Sequence, residues 1–210
     1  MNKFIEEYYE LLTKEYSGIN LTRITDYEEF KLKQISDSIE PYEQSQVFQD
    51  SLAKTGVMVD IGFGGGFPIL PLARHAGQYR YFGVETRAKK VKVVAEIAEK
   101  LGLKNTSFFH SRIEQIMIDI PVVCTFKAVG KVNDFLNKIY TTEIIQVFFY
   151  KGPNFYEIEY DQIKEAKKHW KIIEEKEINL PGVEKRILIG FENKQARKGL
   201  NNLVKLSELI

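Results

Sequence analysis

A glycine-rich stretch between Val57 and Ala73 holds the residues best suited to binding a ligand. A short apolar run ends at Asp60, glycines occupy alternate positions from Gly62 to Gly66, and a helix-compatible segment follows. Glycines let the backbone pass close to a ligand, and the free amides of a helix N-terminus attract anionic groups. The stretch therefore predicts the strand, tight turn and helix start of a nucleotide-binding α/β unit.

An acidic residue, Glu85, ends the next apolar run about 20 residues beyond these glycines, which is the spacing that such motifs require. In these folds, a carboxylate at the end of the second strand accepts hydrogen bonds from the ribose hydroxyls of an adenosine-containing cofactor. The alternative is a carboxylate that only caps the following helix. A dinucleotide-binding motif would have its third glycine where the chain has Phe67 or Ile69, so an NAD(P)-dependent oxidoreductase is disfavoured.

Composition narrows the class of protein. The 210 residues, of which 44% are hydrophobic and 28% charged, fit one large globular α/β domain with a modest extension. The 30 basic and 29 acidic side chains nearly balance, so any contact with nucleic acid has to come from a local basic patch. The single cysteine, Cys124, excludes an internal disulfide and lies in an apolar run, where we expect a buried strand residue. We expect no metal site.

The chain carries no pattern typical of secretion or membrane insertion. The acidic residues Glu6 and Glu7 stand where a signal peptide would need an apolar segment, and no apolar stretch approaches the length of a membrane span. We therefore expect a soluble, cytoplasmic protein.

Alternating strand and helix patterns indicate the elements that position these residues. Apolar residues at helical spacing predict a first helix around Tyr8, and Asp26 with Glu29 resembles a capping box that opens a second helix to about Ser38. Seven strands are predicted, at 57–61, 79–84, 107–110, 122–128, 144–150, 171–177 and 186–191. Helices alternate with the strands and the last two strands form a hairpin-like pair, which predicts a seven-stranded, mostly parallel sheet with one antiparallel strand.

Together these features resemble the class I S-adenosylmethionine-dependent methyltransferases. More narrowly, the chain resembles the RsmG family, also called GidB, of bacterial methyltransferases that act on small-subunit ribosomal RNA. The similarity covers roughly residues 7–191, and its matching segments lie at 20–22, 35–38, 59–68, 84–90, 101–105, 111–114 and 151–152. The glycine turn fits any class I methyltransferase, whereas the Asn-Leu-Thr, Asp-Ser and Phe-Pro segments are specific to the family.

The resemblance implies a Rossmann-like core that binds S-adenosylmethionine and methylates N7 of a guanine, at conventional position 527 in the 530 loop of 16S ribosomal RNA. The residues expected to contact the cofactor are Gly62, Gly64, Phe67, Glu85, Ile113, Glu114 and Lys127. Basic residues before the first strand and in the helical segment after the second strand are candidate contacts to RNA phosphates, namely Arg23, Lys33, Arg87 and Lys90. The expected partner is 16S rRNA or the 30S ribosomal particle, and we expect a monomer.

We predict three parts of the chain: an N-terminal helical extension over residues 1–55, a methyltransferase core over residues 56–191 and a basic C-terminal tail over residues 192–210. The tail mixes basic residues with Leu200, Leu203, Val204 and Leu206. This pattern favours an amphipathic helix packed on the body over a basic extension that touches RNA.

The chain departs from the family pattern at three positions. It has Gln34 where the family has histidine, Ile69 where the family usually has glycine, and Lys127 where the family has arginine. Lysine keeps the positive charge but lacks the planar fork that binds an anion through two hydrogen bonds. Lys127 is therefore kept as a site residue and as the one candidate for a catalytic role. A non-catalytic homologue that binds the cofactor stays an alternative.

Motifs that are absent restrict the type of acceptor atom. Enzymes that methylate exocyclic amines typically have Asn/Asp-Pro-Pro-Tyr after the fourth strand, where this chain has Lys127-Ala128-Val129-Gly130. Methylation at pyrimidine C5 needs a cysteine nucleophile in a pocket, and Cys124 is inside a strand. Guanine N7 has an in-plane lone pair and needs no general base, so a mechanism based on positioning suits it. Methylation of another RNA or of a small molecule is the remaining alternative.

The glycine turn generates the first prediction. Replacing Gly64 with valine places a branched side chain where the backbone has to approach the cofactor. We expect Gly64→Val to abolish binding of S-adenosylmethionine, measured by calorimetric titration, while its circular dichroism spectrum stays native. An unfolded variant would show instead that the turn serves folding first.

Overall fold

The computed structural model describes residues 1–198 and 202–210 and shows two β-sheets. Their strands are β1 (Val57–Ile61), β2 (Arg80–Glu85), β3 (Thr106–His110), β4 (Ile116–Ile118), β5 (Val123–Lys127), β6 (Tyr140–Thr141), β7 (Gln146–Lys151), β8 (Trp170–Ile178), β9 (Arg186–Asn193) and β10 (Val204–Lys205). The main sheet has seven strands in the order β3-β2-β1-β5-β7-β9-β8, and β10-β4-β6 form a small second sheet.

Strand directions in the main sheet match the prediction from the sequence. The central strand β1 pairs in parallel with β2 and β5, and β9 runs antiparallel to both of its neighbours, β7 and β8. The seven-stranded, mostly parallel sheet with one antiparallel strand is thus confirmed. The strand order reverses at β1, and open α/β sheets bind ligands in the crevice that forms at such a point.

Helices cover both faces of the main sheet. The described α-helices are α1 (Asn2–Glu10), α2 (Tyr27–Phe30), α3 (Asp37–Gln44), α4 (Gln46–Thr55), α5 (Ile69–His75), α6 (Ala88–Lys100), α7 (Val132–Leu136) and α8 (Phe155–Ala166). One π-helical turn, Leu11–Glu15, extends α1, and another, Lys31–Ser36, joins α2 to α3. Short 3₁₀ turns form at Ile113–Gln115 and Leu206–Glu208. Within the described ranges, no helix combines the length and apolar character needed to cross a membrane.

The predicted N-terminal helices form, but the second is longer than its pattern suggested. The Asp26 carboxylate accepts a hydrogen bond from the Glu29 amide at 2.8 Å, as the capping pattern predicted. Helical structure then continues beyond Ser38 to the end of α3. Helix α4 was not predicted, because its buried residues, Phe48 and Leu52, are too few to define a repeating apolar stripe.

The N-terminal helices and the sheet bury one continuous apolar core. On this face of the sheet, Tyr8, Phe30 and Phe48 from the N-terminal region pack with Met58 and Phe148 from the strands. The rings of Phe48 and Phe148 stack with their centroids 4.4 Å apart. The opposite face carries a second core that includes residues of α7 and α8. Helices α1 to α4 therefore share a core with the sheet, and the domain boundary at residue 55 stays a prediction.

The C-terminal tail packs on the body in a form that its sequence pattern did not predict. Strand β10 pairs with β4, and Leu206 is fully buried. The amide and the hydroxyl of Ser207 donate to the Asp119 carboxylate at 2.9 and 2.6 Å. The amphipathic helix is therefore wrong for the described part of the tail, because pairing with a distant strand decides its conformation. Leu200, which belonged to that pattern, lies outside the described residues.

Candidate functional site

A cleft of about 530 Å³, the main cleft, opens at the carboxyl ends of β1, β2 and β5. Its lining includes the seven residues expected to contact a cofactor, which are Gly62, Gly64, Phe67, Glu85, Ile113, Glu114 and Lys127. Arg87 and Lys90 also line the main cleft, whereas Arg23 and Lys33 lie outside its lining. The fold thus gathers residues from distant segments into one concave surface, while their roles stay predictions.

The glycines of the turn after β1 serve different purposes. Gly62, Gly64 and Gly66 have φ angles of +76°, +58° and +98°, which residues with a Cβ rarely adopt. At Gly64, an added Cβ would meet no atom closer than 3.9 Å, because this position borders the main cleft. At Gly65, an added Cβ would lie 2.6 Å from the Leu21 carbonyl oxygen. One glycine therefore keeps space open for a ligand, and another permits close packing by the N-terminal region.

The Glu85 carboxylate bonds the turn before α6 with one oxygen and the glycine turn with the other. Its Oε1 accepts hydrogen bonds from the amides of Thr86 at 2.8 Å and Arg87 at 3.1 Å, where the chain turns into α6. Its Oε2 accepts a longer bond, 3.3 Å, from the Gly64 amide and belongs to the lining of the main cleft. One oxygen therefore holds the turn between β2 and α6, ahead of the first helical residue, and the second oxygen is directed at the glycine turn.

Lys127 is held in a buried ionic network rather than extended into solvent. Only 9% of its side chain is exposed, and its Nζ lies 3.0 Å from Asp37 Oδ2. The Arg186 Nε donates to the other oxygen of Asp37 at 2.9 Å. Lys127 also donates to Gln34 at 3.4 Å, so two of the positions that depart from the family pattern contact each other. The Asp-Ser segment of the family resemblance includes Asp37, but the sequence did not predict its partners, because both are remote along the chain.

A second buried ion pair holds the loop that follows β5. The Lys151 Nζ donates to the Gly130 carbonyl at 2.7 Å and to Glu159 at 2.8 Å. The other oxygen of Glu159 accepts from the Val132 amide at 2.7 Å, where α7 begins. Ala128, which lines the main cleft at the start of this loop, has an unfavourable φ of +54°. The pair therefore stabilises a strained loop beside the cleft, and no sequence pattern identified Glu159.

The basic candidates differ in their surroundings. Lys33 forms an ion pair with Glu29 at 2.6 Å, which weakens its case as a phosphate contact. Arg87 is exposed at the edge of the main cleft. Lys138, which was not among the candidates, lies just after α7, lines the cleft and is also exposed. Positive charge therefore lies on two sides of the cleft, where phosphates of a nucleic acid would be attracted.

A buried carboxyl directly precedes the glycine turn. Asp60 has no exposed surface, and its Oδ1 accepts a hydrogen bond from the Thr125 hydroxyl at 2.9 Å. Its Oδ2 has no hydrogen-bond partner among the residues that the structure describes. Burial raises the pKa of Asp60 to about 8, although the hydrogen bond from Thr125 and the nearby amide of Ile69 oppose the rise. The ionised form is thus unfavourable in the folded protein at neutral pH.

Sequence comparisons show which known proteins the chain resembles. Over residues 1–189 the chain matches the GidB family, described as rRNA small subunit methyltransferase G. The ribosomal RNA small subunit methyltransferase G of Lactobacillus helveticus is 30% identical over 200 residues, which cover 87% of this chain and 78% of that protein. The protein of the same name from Halalkalibacterium halodurans is 36% identical over 109 residues, or 52% of this chain. That match, like the one to the Streptococcus sanguinis protein, spans less than half of the relative, 44% and 46% respectively.

Solved structures share the fold at low sequence identity. A magnesium protoporphyrin IX methyltransferase from Synechocystis, with bound SAM, superposes with a TM-score of 0.55 at 12% identity and covers 92% of this chain and 98% of its own. A SAM-dependent methyltransferase from Aquifex aeolicus has a TM-score of 0.54 at 17% identity and covers 80% and 97%. At such identities the similarity establishes the fold alone.

The pKa of Asp60 generates a prediction about stability. Because its folded pKa, about 8, lies above the ordinary 3.8, the folded state keeps a proton that the unfolded state releases between these values. The free energy of unfolding should therefore fall as the pH rises from 4 to 8, by up to about 1.4 kcal/mol per pH unit. Asp60→Asn should flatten this slope in urea denaturation at pH 5 and pH 8. The exposed Asp161→Asn is the control, and equal slopes in wild type and Asp60→Asn would refute the assignment.

Proposed function

Since the chain belongs to the GidB family, described as rRNA small subunit methyltransferase G, we propose that it transfers a methyl group from S-adenosylmethionine to N7 of a guanine in 16S ribosomal RNA. The observation that carries the proposal is the main cleft, where residues matched to the family's cofactor site lie together at the point where the strand order reverses. The guanine in the 530 loop is proposed from the family alone. A ribosomal substrate would place the enzyme in the cytoplasm.

The residues of the main cleft fit S-adenosylmethionine. Gly64 leaves open the space that a side chain would otherwise fill, and Glu85 presents a carboxylate oxygen able to accept hydrogen bonds from ribose hydroxyls. Ile113, which is buried at the lining, offers an apolar surface for adenine beside Glu114. When bound, the cofactor would supply a methyl group on a cationic sulfur, so that transfer to a nucleophile breaks the bond between methyl and sulfur and leaves neutral S-adenosylhomocysteine.

The contribution of the protein would be to position guanine and to exclude water. Burial raises the pKa of Cys124, which is enclosed in β5 as predicted, so its thiol is unsuited to act as a nucleophile. Guanine N7 needs no base, and the residues of the cleft need only hold it in line with the methyl group. Attack by N7 leaves a cationic base. The pairing of Lys127 with Asp37 reduces the positive charge that this wall of the cleft would otherwise present to that base.

Cations at the edge of the main cleft, of which Arg87 and Lys138 are exposed and Lys90 is half-buried, would bind the RNA backbone. Arg87 and Lys90 lie on the side of α6, and Lys138 lies on the side of α7. Such contacts position a nucleic acid without reading its sequence. The small overall charge of +1 is compatible with this arrangement, because binding of a phosphate depends on the local charge at the cleft edge. The substrate would be 16S rRNA alone or within the 30S particle.

Cofactor binding gives a prediction for Glu85. Glu85→Ala should weaken binding of S-adenosylhomocysteine by roughly 1.5–3 kcal/mol in calorimetric titration, because ribose hydroxyls would lose a charged acceptor. Since Glu85 also accepts hydrogen bonds from the amides of Thr86 and Arg87 before α6, Glu85→Gln provides the matched variant that keeps an oxygen for these bonds. Its affinity should lie between those of wild type and Glu85→Ala. Unchanged affinity in Glu85→Ala, or binding of NAD by the wild type, would refute the site.

Methyl transfer gives a prediction for Lys127. Lys127→Ala should lower methylation of 30S particles by a labelled donor by roughly ten- to a hundredfold, whereas Lys127→Arg should retain or raise it. Arg186→Ala is the control, because it also removes one cation from Asp37 but lies outside the lining of the main cleft. It should keep near wild-type activity.

Mapping of the methylated nucleotide completes this experiment. Wild-type rates in Lys127→Ala would remove the residue from the site. A wild-type protein that binds S-adenosylhomocysteine but methylates no 16S substrate would support the alternative, a cofactor-binding homologue without this activity. The presence of lysine at position 127, where the family has arginine, is the observation that favours this alternative.

A further inference from the structure

The N-terminal helix touches the glycine turn through one buried tyrosine. Tyr8 on α1 has no exposed surface, and its hydroxyl donates a hydrogen bond to the Gly65 carbonyl oxygen at 2.5 Å. Its ring stacks on Phe67 with the centroids 5.1 Å apart and the planes inclined by 22°. Tyr8 therefore contacts both the backbone of the turn and an aromatic residue that lines the main cleft.

The hydrogen bond from Tyr8 restrains a segment that has little stiffness of its own. Gly64, Gly65 and Gly66 are consecutive, and glycine backbones rotate over a wider range than others. The peptide between Gly65 and Gly66 is bonded at both polar ends, because its amide donates to the Phe63 carbonyl at 2.8 Å and its carbonyl accepts from Tyr8. Rotation of this peptide would break both bonds. The adjacent Gly64, whose amide reaches Glu85, is thereby held in place.

The Tyr8 hydroxyl packs so closely against the turn that no residue larger than glycine fits at position 66. A Cβ added at Gly66 would lie 2.6 Å from the Tyr8 hydroxyl oxygen, which is too short for any real contact. Burial, with the charge of Asp60 acting in the same direction, raises the pKa of Tyr8 well above its ordinary value. The hydroxyl therefore stays protonated and remains a hydrogen-bond donor at neutral pH.

We propose that Tyr8 is a positioning residue for the cofactor, and that α1 is a working part of the cofactor site rather than only a cover for the sheet. This role rests on the proposed binding of S-adenosylmethionine. Because the orientation of the Gly64 amide depends on Tyr8, the binding free energy of the cofactor is coupled to the docking of α1. Coupling of this kind is reciprocal, so cofactor binding also strengthens the attachment of α1.

The chain offers a matched pair of variants to test the role of Tyr8. Tyr81 is also fully buried, and its hydroxyl donates to the Ala76 carbonyl at 2.9 Å, at the opposite end of the sheet from the main cleft. Tyr8→Phe and Tyr81→Phe each remove one hydroxyl from a buried carbonyl and keep the ring. Tyr8→Phe should raise the Kd for S-adenosylhomocysteine roughly five- to tenfold in calorimetric titration. Tyr81→Phe should stay within about twofold of wild type, although urea denaturation should show a similar loss of stability in both variants.

The outcomes separate this role from the proposed function. If the wild type binds S-adenosylhomocysteine and Tyr8→Phe binds it with the same Kd, Tyr8 is structural and the inference is wrong. If the wild type shows no binding, the proposed cofactor fails, and the role of Tyr8 fails with it.

Hydrogen exchange on the wild-type protein provides a measurement that needs no variant, should Tyr8→Phe not fold. Saturating S-adenosylhomocysteine should slow amide exchange in α1 as well as at residues 62–67. Slower exchange in the turn with unchanged exchange in α1 would contradict the coupling.

Discussion

The strand order at β1 sets the constraint on which the rest of the structure depends. From β1 the chain first builds β2 and β3 on one side, and it later places β5 and β7 on the other. The helix after β1 packs on one face of the sheet, and the helix after β5 packs on the opposite face. The two connections therefore diverge, and a crevice opens between the carboxyl ends of the strands. The residues of the main cleft lie together because of this divergence.

Ionisable groups buried around the main cleft have a different purpose from the apolar core. A buried ion pair contributes little net stability compared with apolar residues of similar volume, because its charges lose their hydration. Here the pairs of Lys127 with Asp37 and of Lys151 with Glu159 each fix a segment at the cleft. The first connects β5 to the N-terminal region, and the second connects β7 to α8 and to the loop after β5. These interactions are best understood as restraints on the geometry of the site.

The features that sequence predicted well are those whose cause is local. The glycine turn, the capping carboxylate of Asp26 and the alternation of strands and helices arise from conformational preferences and from the periodicity of apolar residues. Helix α4 escaped prediction because its two buried apolar residues define no repeating stripe. Strands β4 and β10 escaped because they are only three and two residues long and are stabilised by pairing with other segments. No sequence pattern identified Glu159 either, because its hydrogen bonds to Val132 and Lys151 join different elements of the fold.

By itself, the sequence determined the type of sheet, through the alternation of strand and helix patterns along the chain. It also determined the place of the glycine turn and of the carboxylate at the end of the second strand, because both follow from local spacing. Tertiary structure alone decided which remote side chains complete the site. Tyr8 reaches the carbonyl of Gly65, and Asp37 reaches Lys127, across long stretches of chain. Such contacts depend on how helices pack on the sheet, and the free energy that selects them comes from burial and hydrogen bonds formed only in the folded chain.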